Sequence, residues 1–328
     1  MWRVAVIGRT GRGNYGHGLD VVWKRFPNVR LVAVADEDAA GRAAAAARLG
    51  VRAAYADYRK MLEAERPDLV AVAPRWVDCH HDMVVACAEH RASVYLEKPM
   101  ARTPAEADRM IAACDRAHVK LAVAYQMRIS PILDLAKRRL AEGAIGQLQE
   151  IRGRGKEDRR AGGEDLMVLG THVFDLMRQF GGDPLWAFGR VTTGGRDIAR
   201  ADVTDGPEGL GPIAGDAISG TFAFPAGVAG FFGSRRSDET SGRRFGIDLY
   251  GSRGVMTIRA GMEPEVRIAE SVEWTGAPWT RLELAGNPPP RDTDGANHAI
   301  VADLLEAIEK DRLPRSGGAE ALWALEMA

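Results

Sequence analysis

Apolar and polar positions alternate along the first 125 residues in the order that strand–helix–strand units produce. Short apolar runs, which suit strands buried on both faces of a parallel sheet, are separated by polar stretches with helical spacing. We therefore predict an α/β domain over residues 1–125, built on a doubly wound parallel sheet. Its predicted strands are Arg3–Ile7, Leu31–Ala35, Leu69–Ala73, Ser93–Leu96 and Lys120–Ala124.

Two helices of this domain are indicated by local patterns. Thr103 and Glu106 form a capping box with a proline between them, which starts a helix that ends near His118. An apolar stripe between the first two strands predicts another helix, because it has the spacing of one helical face. The residues of this stripe are Leu19, Val22, Trp23 and Phe26.

The pattern changes after Gly146 to strands of mixed alternation, interrupted by one clear helix near Asp165–Phe180. Residues 197–215 are rich in glycine, aspartate and proline and are predicted to form a surface loop. We predict an α+β domain over residues 126–328 with an open, mostly antiparallel sheet, closed by helices at 295–310 and 318–328. Since the chain stops inside the last helix, we expect that a final strand is missing. Predicted strands lie near 147–154, 186–193, 217–224, 228–234, 245–250 and 255–259.

The composition of the chain indicates which kinds of binding partner to expect. The formal net charge is −1 and no apolar stretch is long enough to span a bilayer, so neither nucleic acid nor a membrane is an expected partner. The cysteines Cys79, Cys87 and Cys114 form no CxxC pair, and neither a disulfide framework nor a metal site is predicted. A small-molecule partner and a cytoplasmic location fit these features best.

A glycine-rich segment follows the first strand and predicts a dinucleotide site. Glycines at this place let backbone N–H groups and a helix N-terminus approach a pyrophosphate closely. The literal GxGxxG match is Gly11, Gly13 and Gly16, whereas the register of the strand favours Gly8, Thr10 and Gly13. The alternative is a flexible surface loop. Candidate cofactor contacts here are Gly8, Arg9, Thr10, Gly11, Arg12 and Gly13.

Asp36 ends the second predicted strand. An acidic side chain at this place accepts hydrogen bonds from the adenosine ribose and repels a 2′-phosphate. The position therefore predicts NAD rather than NADP as the cofactor. The alternative role of Asp36 is the N-cap of the following helix.

More specific motifs are spread over nearly the whole chain. Glu97-Lys98-Pro99 follows the fourth strand at the carboxyl edge of the sheet, where doubly wound folds bind their ligands. The others are Val4–Gly13, Ala73-Pro74 with His80 downstream, Gly170–Asp175 around His172, and Gly251–Gly254. In this order the motifs resemble the glucose-fructose oxidoreductase, inositol dehydrogenase and MocA family (Gfo/Idh/MocA).

The resemblance implies a Rossmann domain followed by a sheet domain, with NAD(P) between them, and oxidation or reduction of a sugar or cyclitol carbon. It implies that Lys98 contacts the reacting hydroxyl and the nicotinamide ribose, and that His172 is the general base, so both are candidate substrate contacts. It also implies a homo-oligomer, a dimer or tetramer, that forms through the open sheets. Further implied cofactor contacts are Ala73, Pro74, Arg75, His80, Glu97 and Lys98.

One departure from the family pattern concerns the residues before His172. Family members often carry aspartate four residues before this histidine, where this chain has Val168. Asp165 would lie on the same helical face as His172 if the helix begins that early, so it is the candidate for the missing catalytic carboxylate. The alternative is that Asp165 only favours the positive end of the helix dipole.

A charged stretch, Arg152–Arg160, ends the first strand of the second domain. Within it, Arg154 and Lys156 are candidate contacts for substrate hydroxyls or for an anionic group. The alternative is a solvated charged loop.

Together these features predict reversible hydride transfer between NAD and a secondary hydroxyl of a small sugar, glycoside or cyclitol. Two other classes of function stay open. A redox-neutral hydrolase or lyase would oxidise its sugar transiently and release no net NADH. A non-catalytic NAD-binding regulator is compatible with Val168, although Lys98 and His172 argue against it.

Overall fold

The computed structural model describes residues 1–237, 242–261, 264–271, 273, 276–286 and 293–328. Contacts divide the chain into two units. The first consists of Met1–Gln126, Glu208–Leu210 and Asp292–Leu325, and the second of the remaining residues. The predicted boundary, between residues 125 and 126, lies next to the point after Gln126 where the chain first passes from the first unit to the second. The predicted second domain, however, includes the C-terminal helices, and these pack within the first unit.

The sheet of the first unit is formed by β1 (Trp2–Ile7), β2 (Val29–Ala35), β3 (Ala53–Tyr55), β4 (Leu69–Val72), β5 (Ser93–Leu96) and β6 (Leu121–Val123). All pairings are parallel and the order is β3-β2-β1-β4-β5-β6, which confirms the predicted doubly wound sheet. The order reverses between β1 and β4, and ligands of such sheets bind at the carboxyl edge near this point. The apolar pattern does not predict β3, because three residues are too few to show alternation.

Helices connect these strands, and their ends follow local side-chain chemistry. Asp38 accepts a hydrogen bond from the Gly41 N–H at the start of the first helix. Thr103 likewise accepts from the Glu106 N–H, as the capping box predicts. The helices are α1 (Ala39–Leu49), α2 (Tyr58–Glu65), α3 (His80–Glu89) and α4 (Pro104–Ala117).

The helix predicted from the stripe between β1 and β2 is wrong. Only short 3-10 turns form there, at Gly16–Gly18 and Val22–Arg25. The backbone bonds here join residues three apart, as from Lys24 N–H to the Val21 carbonyl, and Phe26 is extended with φ −109° and ψ 115°, so no α-helix covers the stripe. The apolar stripe is nevertheless buried at Leu19, Val22 and Trp23, so the pattern predicts burial correctly and the backbone incorrectly.

The second unit carries a mixed sheet in the order β17-β16-β15-β14-β7-β13-β12-β8-β9. Among the described strands of this second sheet, only β7 and β13 pair in parallel. The sheet is therefore mostly antiparallel, as predicted. The predicted loop over 197–215 contains a small hairpin, β10 with β11. The strands are β7 (Leu148–Arg154), β8 (Trp186–Thr193), β9 (Arg196–Asp197), β10 (Thr204–Gly206), β11 (Gly211–Ile213), β12 (Ala217–Ala223), β13 (Ala229–Arg235), β14 (Gly246–Gly251), β15 (Val255–Arg259), β16 (Glu265–Ala269) and β17 (Thr280–Arg281).

Three helices belong to this unit, within its described residues: α5 (Pro131–Ala141), α6 (Gly163–Asp165) and α7 (Thr171–Gly181). A π-helical turn, Leu166–Gly170, separates α6 from α7, so the single predicted helix is interrupted. Helix α7 packs closely on the sheet. A Cβ at Gly153 would lie 2.7 Å from the Val173 side chain, and the Phe174 and Phe232 rings are 4.6 Å apart.

The C-terminal helices α8 (Thr293–Glu309) and α9 (Gly318–Glu326) join the first unit through buried hydrogen bonds. Asn297 is fully buried, accepts from the Tyr95 hydroxyl at 2.7 Å, and donates to the His17 carbonyl at 2.7 Å. Ser316 donates to the Val123 carbonyl at 2.6 Å. No helix in the described ranges combines the length and apolar character that crossing a membrane requires.

Replacing Asn297 with alanine should lower the free energy of unfolding by about 2–3 kcal/mol, because the buried Tyr95 hydroxyl and His17 carbonyl lose their partner. Denaturant unfolding measures this loss. The control is Asn28→Ala at an exposed position, which should change stability by less than about 0.5 kcal/mol. Equal stability of the two variants would contradict the role given to Asn297.

Candidate functional site

The glycine-rich loop begins directly at the end of β1. Gly8 N–H donates to the Ala35 carbonyl at 2.9 Å, and paired backbone bonds between Arg9 and Asn14 close the turn. Gly13 has φ 92°, and a Cβ there would lie 2.5 Å from the Trp76 backbone nitrogen. Only glycine therefore allows the loop to lie against the chain after β4.

Asp36 holds this loop to the end of β2. Its carboxylate, 2% exposed, accepts from Thr10 N–H at 3.1 Å, Thr10 Oγ1 at 2.7 Å and the Tyr15 hydroxyl at 2.9 Å. Burial and this bond raise the pKa of Tyr15 above its usual range. The alternative of Asp36 as an N-cap does not hold, because Asp38 caps α1.

A concave pocket lies at the carboxyl ends of β1 and β2. It has the features that an adenosine would require, with apolar walls from Tyr58 and Met83 and a carboxylate from Asp36. The cavity itself measures only about 10 Å³, so these groups could contact an adenosine only after their side chains move apart. The pocket is lined by Ile7, Gly8, Arg9, Ala35, Asp36, Glu37, Ala56, Tyr58 and Met83.

The two loop arginines are paired with one acid. Arg9 and Arg12 lie 3.4 and 2.5 Å from the Asp78 carboxylate, and Arg12 also stacks over the Trp76 ring at 5.2 Å. Arg9 Nε is buried without a hydrogen-bond partner among the described residues. To bind a pyrophosphate, these guanidinium groups would therefore have to leave the Asp78 carboxylate. The sequence did not indicate this pairing with Asp78.

The segments after β4 and β5 are tied together by His80. Its ring is fully buried, with Nε2 2.7 Å from the Pro74 carbonyl oxygen and Nδ1 2.8 Å from that of Pro99. Burial lowers the pKa of His80. His80 thus links the segment after β4, which contains Ala73, Pro74 and Arg75, to the segment after β5.

Glu97 and Lys98 follow β5 at the same carboxyl edge. Glu97 is fully buried, and its Oε1 lies 2.7 Å from His17 Nδ1. Its Oε2 is buried with no hydrogen-bond partner among the described residues, as an acceptor reserved for a ligand hydroxyl would be. Lys98 is 7% exposed. A lysine with so little exposure is suited to hold a polar ligand group at this edge, because water competes little with its interactions.

The candidate residues of the second unit have a different geometry from the predicted one. Asp165 is fully buried and its Oδ2 accepts from Ser234 Oγ at 2.5 Å, while His172 is half-buried on α7. The π turn between them adds a residue to the turn, so the regular α-helical phase that placed both on one face is lost. Burial raises the pKa of the Asp165 carboxyl.

Arg154 and Lys156 are about half-exposed and paired with acids. Arg154 lies 3.5 Å from Glu157 and Lys156 lies 3.9 Å from Asp158. Glu157 is 1% exposed and also lies 2.7 Å from Arg244. These ion pairs favour the charged-loop alternative, although both cations stay accessible to a ligand.

Comparisons with known proteins agree with this geometry. Residues 2–125 match the Gfo/Idh/MocA model, described as an oxidoreductase family with an NAD-binding Rossmann fold. The chain is 26% identical to a D-apiose dehydrogenase from Paraburkholderia graminis, over 80% of this chain and 72% of the relative. It is 25% identical to a levoglucosan dehydrogenase from Pseudarthrobacter phenanthrenivorans, over 74% and 68%.

Solved structures share the fold over almost the whole chain. An oxidoreductase domain protein from Kribbella flavida has a TM-score of 0.76 and 25% identity, covering 98% of this chain and 93% of its own. A levoglucosan dehydrogenase in complex with NADH and levoglucosan has a TM-score of 0.79 at 19% identity, covering 99% and 95%.

The Asp36 carboxylate should make the protein prefer NAD to NADP. In Asp36→Asn the charge that repels a 2′-phosphate is absent, so the ratio of the two affinities should fall about tenfold or more, which is roughly 1.4 kcal/mol. Calorimetric titration with each cofactor measures the ratio. Glu63→Gln, at an exposed acid of α2 outside this pocket, is the control and should leave the ratio unchanged. Equal wild-type affinities for NAD and NADP would remove Asp36 from the ribose site.

Replacing Asp165 with asparagine should change how stability depends on pH. Folding raises the pKa of this carboxyl, so its stabilising contribution is complete at low pH and is lost as pH rises through the raised value. From about pH 4 upward, the variant should gain stability relative to the wild type in urea unfolding. Asp108→Asn, at an exposed position of α4, should show no such trend. A pH-independent difference for Asp165→Asn would contradict the shift.

Proposed function

We propose that the chain, whose residues 2–125 match the Gfo/Idh/MocA family of NAD-binding oxidoreductases, transfers hydride between NAD and a secondary hydroxyl of a sugar, glycoside or cyclitol. The observation that carries this proposal is the lysine Lys98, 7% exposed, at the carboxyl edge of β5. The names of the relatives support it, since they include dehydrogenases of D-apiose, levoglucosan and myo-inositol.

NAD, when bound, supplies the acceptor for the hydride. The chain's own groups then have distinct tasks. The glycine loop, Asp36 and the edge after β4 hold the dinucleotide. Lys98 orients the substrate hydroxyl and stabilises the negative charge that grows on its oxygen. His172 accepts the hydroxyl proton as general base, because imidazole changes its charge near neutral pH.

Substitution of Lys98 tests this proposal. Lys98→Met keeps most of the apolar stem but removes the charge and its three donors. We expect the hydride step to slow on the order of a hundredfold or more, while NAD affinity changes little because the loop and Asp36 are intact. Pre-steady-state NADH formation and cofactor titration measure the two effects.

The matched control is Lys60→Met, at an exposed lysine of α2, which should behave as the wild type. The substrate comes from a screen of sugars, anhydrosugars and cyclitols for net NADH release. Release of NADH also separates this function from a redox-neutral hydrolase. Turnover of Lys98→Met at the wild-type rate would exclude the proposed active site.

We also propose that the chain forms a homo-oligomer through the open sheet face of its second unit. Phe188 on β8 and Phe231 on β13 both pair with Thr221 on β12, so they flank it in one row across three strands. Phe188 is 70% and Phe231 39% exposed. Exposed apolar surface of this kind is typical of subunit interfaces, and a second copy offers the same row in return.

Phe188→Asp combined with Phe231→Asp should dissociate this oligomer, because it places charges in the apolar row. Light scattering after gel filtration measures the mass. Leu313→Asp is the control, since Leu313 is 76% exposed in the first unit. A wild-type monomer, or an unchanged mass in the double variant, would contradict the interface.

A further inference from the structure

His172 lies on α7 between two buried anchors. On its N-terminal side, Asp165 Oδ2 accepts from Ser234 Oγ at 2.5 Å, and both side chains are at most 1% exposed. On its C-terminal side, Asp175 Oδ1 accepts from Arg128 Nε at 2.8 Å, and Asp175 is also 1% exposed. Neither anchor has a part in the chemistry proposed above.

The segment between the anchors departs from the α-helix. Leu166–Gly170 forms the π turn, in which each hydrogen bond spans one residue more than in an α-helix. Isolated π turns inside helices are rare and concentrate at functional sites. The stretch from Asp165 to Asp175, which contains this turn, is bonded to Ser234 at one end and to Arg128 at the other.

The N-terminal anchor is tightly enclosed. A Cβ at Gly155 would lie 2.1 Å from Asp165 Oδ2 and 2.7 Å from Ser234 Oγ, so glycine is needed at this position to leave room for the pair. Asp165 has no exposed surface. It is therefore placed to hold the backbone of the segment, and its carboxylate does not face a solvent-filled site.

We propose that Asp165 with Ser234, and Asp175 with Arg128, are positioning residues that fix the rotation of α7 and with it the direction of the His172 imidazole. This inference rests on the proposed hydride transfer, in which His172 accepts the proton. Asp165 acts in it through a hydrogen bond and needs no charge. This assigns a role to Asp165 that differs from the catalytic carboxylate expected from its spacing.

Three variants separate positioning from catalysis at the first anchor. Asp165→Asn keeps an oxygen that accepts from Ser234, whereas Asp165→Ala and Ser234→Ala remove the bond. We expect Asp165→Asn to keep kcat within about threefold of the wild type. The two alanine variants should lose about tenfold or more in kcat, because small misplacements of a catalytic group are costly. Their KM and NAD affinity should change little.

The second anchor is tested on the same helix. Asp175→Asn weakens the buried pair with Arg128 and should lower kcat. Asp183→Asn is the control, since it breaks the Arg178–Asp183 pair, whose aspartate is 53% exposed, and should leave kcat unchanged. Thermal unfolding of every variant shows whether it is folded at the assay temperature.

A further measurement observes the His172 side chain directly and does not depend on enzyme activity. Nitrogen-15 NMR of labelled histidine should show altered His172 signals in Ser234→Ala and Asp165→Ala, and wild-type signals in Asp165→Asn. Equal loss of kcat in Asp165→Asn and Asp165→Ala would mean that the charge is required, and would overturn the positioning role. Unchanged His172 signals in Ser234→Ala would overturn it too. Wild-type inactivity on every secondary alcohol would instead reject the proposed function and leave the NMR outcome to decide the anchor.

Discussion

The bonds of the buried Asp36 carboxylate to the glycine-rich loop are the interaction on which the cofactor site depends. Thr10 and Tyr15 both donate to it, so the end of β2 determines the shape of the loop that follows β1. A buried carboxylate without such donors would be costly. Asp36 also lines the pocket at this end of the sheet, and its preference for an uncharged ribose edge stays a prediction.

The strand order of the first sheet separates the groups that would contact the two ends of a bound dinucleotide. Asp36 lies at β2, and Glu97 and Lys98 lie after β5, on the other side of the reversal between β1 and β4. A dinucleotide bound across this edge extends from one group to the other. This topology, together with the motif that contains Lys98, is the basis of our proposal that Lys98 lies at the reactive end.

Much of this could be predicted from the sequence, because burial leaves a periodic apolar pattern. Strands β5, β8 and β15 have their predicted bounds. Leu19 and Trp23 show the limit, since the stripe predicts their burial but not the 3-10 turn that forms in place of a helix. The glycine loop and the acid at the end of β2 are local in sequence, so they could be named as candidates for that reason, and their contact with NAD stays a prediction.

Features that depend on distant residues were not predictable. Asn297 bonds to His17 across the length of the chain, which is why α8 belongs to the first unit. A π turn interrupts the helix between Asp165 and His172, and the bonds to Ser234 and Arg128 join residues far apart in sequence, so spacing alone could not indicate them. The pairing of Asp78 with the loop arginines Arg9 and Arg12 also joins residues that are distant in sequence, so it was not predictable either.

The central claim is that hydride passes between NAD and the carbon of a secondary hydroxyl. Its most direct test uses a substrate carrying deuterium on that carbon, with mass spectrometry of the NADH and of the organic product. The account predicts NADH heavier by one deuterium, formed together with an equal amount of ketone. NADH without deuterium, or a product altered elsewhere while its labelled carbon stays an alcohol, would contradict it.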